Sequence, residues 1–446
     1  MTINIDIFSK ENIKPSSPTP PDLKSYNLSI LDQLIPAPYA PIMLFYPNQD
    51  QSRNLDQIER QRILSIKDSL SETLTRFYPL AGTIKDDLVI DCNDVGACFV
   101  AARVNTRLDD FLKRPDLELI NRFLPCEPSF NGSSAGSCVS HVQVTIFECC
   151  GIAISLCISH KILDGGALST FLKSWAGSSY GSKEVVLPDM IGPSLFPAKD
   201  LWLKDFSIVM WGSLFKMGKC RTTRFVFDST KIASLKVKAG ENGLKDPTRV
   251  EVVSGLLWKC VMGAFEETTG SRKPSMLSHV VNLRKRGVPE NAIGNMIFIT
   301  SARCDNDSET GLDGLVGKIR DSVSRIDGEF VKKLLDAGDE RIQVMEEALK
   351  GMMMKSDDCA NNYIGFTSWC KLGFYEADFG WGKPLWVCGS VSDRSPVFMN
   401  FVVLMDTRNG NGIEAWVSLD EAEMHVLQHN PDLLHFASLD PSPILY

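Results

Sequence analysis

The chain has 446 residues, 44% hydrophobic and 23% charged, an ordinary globular composition in a length that exceeds one typical core. Its 47 basic and 55 acidic residues leave a net charge of −8, which argues against general affinity for nucleic acid or anionic lipid. The 13 cysteines are scattered, with no CxxC pair and only Cys149 and Cys150 adjacent. They read as free thiols of a reducing compartment rather than as a disulfide framework.

In chain order, the N-terminal segment lacks the apolar stretch of a secretory signal, so a cytoplasmic protein with no membrane span is expected. The spacing predicts a helix over 55–77. It is halted by Tyr78-Pro79-Leu80-Ala81-Gly82, because proline removes a helix donor and glycine tolerates left-handed turns. Short strands follow at 88–91 and 98–104, then a strand pair over 139–149 and 151–160. In the second member, alternation puts His160 on the same face as Ile152, Ile154, Leu156 and Ile158. After Asp164-Gly165-Gly166 the period changes to that of a helix, with Leu168, Phe171, Leu172 and Trp175 on one stripe.

From Gly177 onward periodicity weakens, which suggests a crossover between two domains, 1–190 and 220–446, through 191–219. The second half opens with a strand at 222–227. A helix follows at Thr248, where Glu251 completes a capping box and Val252, Val253, Leu256, Leu257 and Cys260 form the buried stripe. Another helix carries Leu312, Leu315, Val316 and Ile319. A hairpin is expected to join 397–406 to 413–419 through Asn409-Gly410-Asn411-Gly412. Strands and helices alternate in both halves, so the class is α/β.

Of the six histidines, only His160 is followed four residues later by an aspartate, in His160-Lys161-Ile162-Leu163-Asp164-Gly165-Gly166. An imidazole at the rim of a core, near its neutral form, is suited to take a proton from a hydroxyl. The competing reading is a core histidine satisfied by a backbone carbonyl. A turn follows His160, so Asp164 need not face the imidazole, and structural pairing with an arginine is favoured over a charge relay. Asp378-Phe379-Gly380-Trp381-Gly382 followed by Pro384 describes a tight, rigid loop. Gly177-Ser178-Ser179-Tyr180-Gly181 imitates a nucleophile elbow but lacks the preceding strand. His425 and His429 lack the glutamate of a zinc-protease helix.

The two frames at 160–166 and 378–384, about 210 residues apart, together resemble the plant BAHD acyltransferase family. Further family-like segments keep the same order along nearly the whole chain, among them Val252-Val253-Ser254-Gly255 and Val281-Asn282-Leu283-Arg284-Lys285-Arg286. The likeness is closest to the alkaloid and terpenoid acetyltransferase branch. It implies two similar domains of chloramphenicol-acetyltransferase type with a channel between them, entered by CoA from one face and by the acceptor from the other. It implies His160 as general base and Asp164 as its structural partner, turned toward an arginine that Arg284 supplies. The loop Asp378, Phe379, Gly380, Trp381, Gly382 would be structural, and Ser254, Arg284 and Arg286 are candidates for the CoA phosphates. The Gly165 or Gly166 amide or the Trp369 indole would receive the oxyanion.

The expected co-substrate is acyl-CoA, with acetyl-CoA the first choice of donor. No metal or permanently bound cofactor is implied, and the partner is a small-molecule alcohol acting on a monomer. N-acylation, malonyl or hydroxycinnamoyl transfer, and a non-catalytic relative acting through protein contacts are the competing readings. Departures from the family pattern bear on the acceptor. The segment Ala37–Phe45, which offers hydroxyls in hydroxycinnamoyl-transferring relatives, is apolar here apart from Tyr39, so Tyr39, Ile42 and Leu44 are expected to line the acceptor pocket. Lys371 stands where such relatives place a carboxylate-gripping arginine, and it is a less directional donor. Ile293 replaces the usual aromatic before Gly294-Asn295. These differences point away from shikimate or quinate and toward a bulky apolar alcohol.

Overall fold

The computed structural model describes residues 3–36, 38–49, 55–127, 134–182, 184–198, 214–305, 310–353, 362–389 and 397–445. It is an α/β protein built on two large mixed sheets. The first sheet has six strands in the order Ile5–Ile13, Ala97–Val104, Ser140–Phe147, Ile152–Ser159, Tyr39–Tyr46 and Trp386–Cys388. Ile152–Ser159 is buried at every residue, on both faces, because one parity is large aliphatics and the other is small Ala153, Ser155, Cys157 and Ser159. It pairs antiparallel with Ser140–Phe147 on one side and Tyr39–Tyr46 on the other. The helices Leu55–Arg76 and Gly165–Tyr180 pack together, with the Trp175 indole donating to Ser69 Oγ at 3.1 Å and Phe77 edge-on to Phe171. A second aromatic group, Phe45, Phe111, Phe123 and Phe147, fills the same core.

The second sheet has seven strands in the order Ile297–Cys304, Ser275–Asn282, Tyr363–Ser368, Phe401–Asp406, Ile413–Asp420, Cys220–Phe227 and Ser438–Leu439. Helices Arg249–Thr269 and Leu312–Ser324 share its core. The capping box is present: Thr248 Oγ1 accepts from Glu251 N–H at 3.2 Å, and Thr248 N–H donates to Glu251 Oε2 at 2.8 Å.

Two features depart from the sequence expectations. The segment expected as one strand over 397–406 is split at Asn400. Val397–Met399 pairs with Phe215–Met217, and only Phe401–Asp406 pairs with Ile413–Asp420, because buried Asn400 turns its side chain to donate to Tyr363 O. Trp386–Cys388, from the second half of the chain, completes the edge of the first sheet by pairing with Met43–Phe45. Within the expected crossover 191–219, residues 199–213 lie outside the described residues; the helix Gly192–Leu195 and the strand Phe215–Met217 flank them. Among the described residues, no helix is long and apolar enough to cross a membrane, and no group of three or more His, Cys, Asp or Glu side chains could hold a metal ion.

Candidate active site

The buried strand Ile152–Ser159 ends where the two sheets face one another, and His160 is the first residue beyond it. Its backbone N–H donates to Pro38 O at 2.9 Å, which fixes the strand end against the segment leading into Tyr39–Tyr46. The half-buried imidazole lines a cavity of about 310 Å³. Ile35, Pro36, Tyr39 and Pro41 line it from the first half of the chain, and Val280, Ile297, Ile299, Phe401, Val403 and Met405 from the second. That volume and apolar lining are those of a small-molecule site, which runs from roughly 300 to 1,000 Å³.

His160 Nδ1 lies 2.9 Å from Asn295 Oδ1. The amide nitrogen of Asn295 donates to Asp32 Oδ1 at 2.8 Å and to His160 O at 2.7 Å, both pure acceptors. The amide therefore has one orientation, its oxygen must accept, and the imidazole proton resides on Nδ1. Nε2 keeps its lone pair. Asp32 anchors this chain from a short helix, Ile30–Gln33, accepting also from Asn295 N–H at 2.6 Å and from Ser29 N–H and Oγ at 2.8 and 2.6 Å. Burial pushes the Asp32 carboxyl up, opposed by the hydrogen bonds from Ser29 and Asn295. The arrangement repeats the logic of a histidine oriented by a buried carboxylate, with an amide interposed.

Asp164 does not approach the imidazole through its carboxylate. Oδ1 caps the helix Gly165–Tyr180 by accepting from Ala167 N–H at 2.8 Å, and Oδ2 accepts from Arg284 Nη1 at 2.7 Å. Both side chains are buried, and Arg284 also donates to the carbonyls of Ala292 and Gly294. The two glycines that follow make room for this packing. A Cβ on Gly166 would sit 2.6 Å from Arg284 Nη1, and one on Gly165 would sit 3.1 Å from Trp369 Nε1. Gly165, Gly166 and Trp369 all line the cavity, at the positive end of a 16-residue helix.

The remaining expected residues divide. Arg284 is enclosed by its internal partners, which is at odds with a place on CoA phosphates. Ser254 is fully buried within its helix, and of the three residues expected there only Arg286 is partly exposed, with Nη1 donating to Asn282 O at 2.6 Å. Tyr39 lines the cavity and donates its hydroxyl to Cys138 O at 2.6 Å. Ile42 and Leu44 do not line it, because they lie further along the strand, wholly inside the sheet. Lys371 is exposed outside the cavity on a left-handed turn at φ 64°, its N–H donating to Asp406. Ala37 lies outside the described residues.

Asp378, Phe379, Gly380, Trp381 and Gly382 are also away from the cavity. Asp378 Oδ1 accepts from the N–H groups of Gly380 and Gly382 at 2.8 and 2.9 Å, both glycines at φ above 100°. Its carboxylate is thus held by backbone amides of its own loop. Phe379 packs edge-on against Tyr46 and Trp175, which pins the loop to the first sheet and to the helix Gly165–Tyr180. Sequence reasoning assigned no role to Asn295 or Asp32. The Gly294-Asn295 pair was visible, but nothing local connected it to residue 160.

The Transferase family model matches residues 3–434. A limonoid 7-O-acetyltransferase of Citrus sinensis is 40% identical over 461 residues, covering 98% of this chain and 99% of its own length. The crystal structure of vinorine synthase superposes with a TM-score of 0.80 at 33% identity, over 99% of this chain and 100% of that one. The same fold is found in F. sporotrichioides TRI101 complexed with coenzyme A and T-2, at a TM-score of 0.72 and 16% identity over 93% of this chain and 99% of that one.

Proposed function

Because this chain belongs to the Transferase family, the BAHD acyltransferases, we propose that it acetylates a hydroxyl of a bulky alkaloid or terpenoid alcohol with acetyl-CoA as donor. The observation that carries this reading is His160, held through Nδ1 by Asn295 so that Nε2 is left basic at an apolar cavity. Both substrates bind before reaction. Nε2 takes the acceptor hydroxyl proton as its oxygen attacks the thioester carbonyl. The imidazolium that forms is stabilised through Asn295 by the Asp32 carboxylate. The oxyanion is received by the Gly165 or Gly166 amide at the helix end, or by the Trp369 indole. The tetrahedral adduct then collapses, and CoA leaves as a thiolate that His160 reprotonates.

Acyl-CoA as co-substrate is supported by family membership and by the coenzyme A in a protein of the same fold. On the CoA path, Arg286 is the partly exposed member of the expected contacts. The two-domain division at 191–219 is supported by the two separate sheets, although the strand Trp386–Cys388 crosses to the first. A monomer in a cytoplasmic setting completes the proposal, the setting resting on the twelve free thiols among the described residues. The test is a competition assay in which acetyl-CoA is offered with a triterpenoid alcohol, its amine counterpart, and shikimate at equal concentration. Acetylation of the apolar alcohol is expected. Preferential reaction of the acid refutes the acceptor class, and reaction of the amine refutes O-acylation.

A further inference from the structure

Asn282 ends the strand Ser275–Asn282 and lines the cavity together with Val280 on its own strand and Ile297 directly opposite on the next. It has no part in the reaction as described above. Its Oδ1 accepts from Arg284 N–H at 3.0 Å and, at the longer distance of 3.4 Å, from Arg284 Nη1. Both of these nitrogens can only donate, so the amide has one orientation, with its oxygen toward the arginine and Nδ2 on the other arm of the fork. The backbone is held as well, its carbonyl accepting from Arg286 Nη1 at 2.6 Å.

Nδ2 has no hydrogen-bond partner among the described residues, and it is not one of the buried side-chain atoms left unsatisfied. It therefore opens on space that a ligand can fill, and the space bordered by the half-buried Asn282 is the cavity. The guanidinium that orients this amide also holds the helix start. Arg284 Nη1 donates to Asp164 Oδ2 at 2.7 Å, and a Cβ on Gly166 would sit 2.6 Å from the same nitrogen. Asn282 and Gly166 thus flank one nitrogen atom, and both border the cavity with His160 and Gly165. Negative charge that develops in a reaction is stabilised at the positive end of a helix, and a donor already oriented there contributes without reorganisation.

We propose that Asn282 is a catalytic residue, its Nδ2–H donating to the carbonyl oxygen of the transferring acyl group as that oxygen becomes the oxyanion. The assignment rests on the acyl transfer from CoA proposed above. The bond strengthens as charge builds on the oxygen, so it acts on kcat rather than on substrate binding.

The experiment compares Asn282→Asp and Asn282→Ala with wild type by steady-state CoA release, using the acceptor that gives turnover, and pairs each with a melting curve. The aspartate keeps an oxygen for Arg284 but puts a second acceptor in place of the NH2 group, whereas alanine removes both arms. Both variants should lose about 10²- to 10³-fold in kcat, with the KM for acyl-CoA and for the acceptor unchanged. Wild-type kcat in Asn282→Asp beside a fall in Asn282→Ala overturns the proposal, because the side chain then serves only to brace Arg284. A raised KM at unchanged kcat overturns it too, by making the contact one of ground-state binding. If one variant fails to fold, the other still decides, since retained kcat in a folded protein sinks the donor role. Wild-type protein that releases no CoA with any alcohol refutes the acyl transfer itself, whereas release that persists undiminished in Asn282→Asp refutes the donor alone.

Discussion

Replacing Asn295 with leucine keeps its γ-branched outline but removes three contacts at once: the 2.9 Å acceptor for His160 Nδ1–H and the 2.8 and 2.7 Å donations to Asp32 Oδ1 and His160 O. An Nδ1–H facing a leucine methyl is an unpaired buried donor, which costs about 1–3 kcal/mol. The ring escapes that cost by moving its proton to Nε2 or by rotating, and in either case the nitrogen facing the acceptor is no longer a held base. Restoring the productive form before each turnover costs about the same amount, and at about 1.36 kcal/mol per decade Asn295→Leu should lower kcat about 5- to 150-fold. The KM for acyl-CoA should not move, because the amide lies behind the imidazole rather than along the donor. The assay is steady-state CoA release with the acceptor that gives turnover, paired with a melting curve. An unchanged melting temperature and a kcat within about twofold of wild type would refute the orienting role. A parallel fall in kcat and folded fraction would reduce it to a packing effect.

His160→Ala should fold normally and lose roughly 10²- to 10⁴-fold in kcat, measured by the same CoA release; near wild-type turnover removes it as general base. Asp164→Ala leaves the buried Arg284 guanidinium without its carboxylate and should cost about 3–5 kcal/mol, read as a drop in urea midpoint. Gly166→Ala should also destabilise, by about 1–3 kcal/mol, since its methyl would meet Arg284 at 2.6 Å; a variant as stable as wild type contradicts the close approach. Asp378→Ala loses two loop hydrogen bonds rather than a charge pair, so about 1–3 kcal/mol in urea titration is expected, with kcat of the folded protein retained. Burial holds His279 below its ordinary 6.5, so the unfolded chain binds its proton more readily. That contribution to stability is complete above pH 6.5 and is lost as the pH falls through the folded value, and His279→Phe should flatten the dependence of melting temperature on pH in that window.

What the sequence determined by itself was local in origin. The strand 152–159, the change to helical spacing after Gly166 and the Thr248–Glu251 capping box are set by neighbours within about four residues along the chain, where side-chain alternation and helical stripes are written directly. The resemblance of two short frames then identified the class of chemistry. The tertiary structure alone decided the rest. Asn295 and Asp32 are 263 residues apart in sequence and meet only because both sheets close on the end of one strand. Ile42 and Leu44 read as apolar and are apolar, but their position along a strand buried on both sides withdrew them from the cavity in favour of Ile297, Ile299 and Val403 from the other sheet. Trp386–Cys388 likewise joins a sheet formed almost wholly from the first half of the chain. No periodic pattern records such encounters, because a residue's spacing encodes which face it occupies and not which distant face will be laid against it.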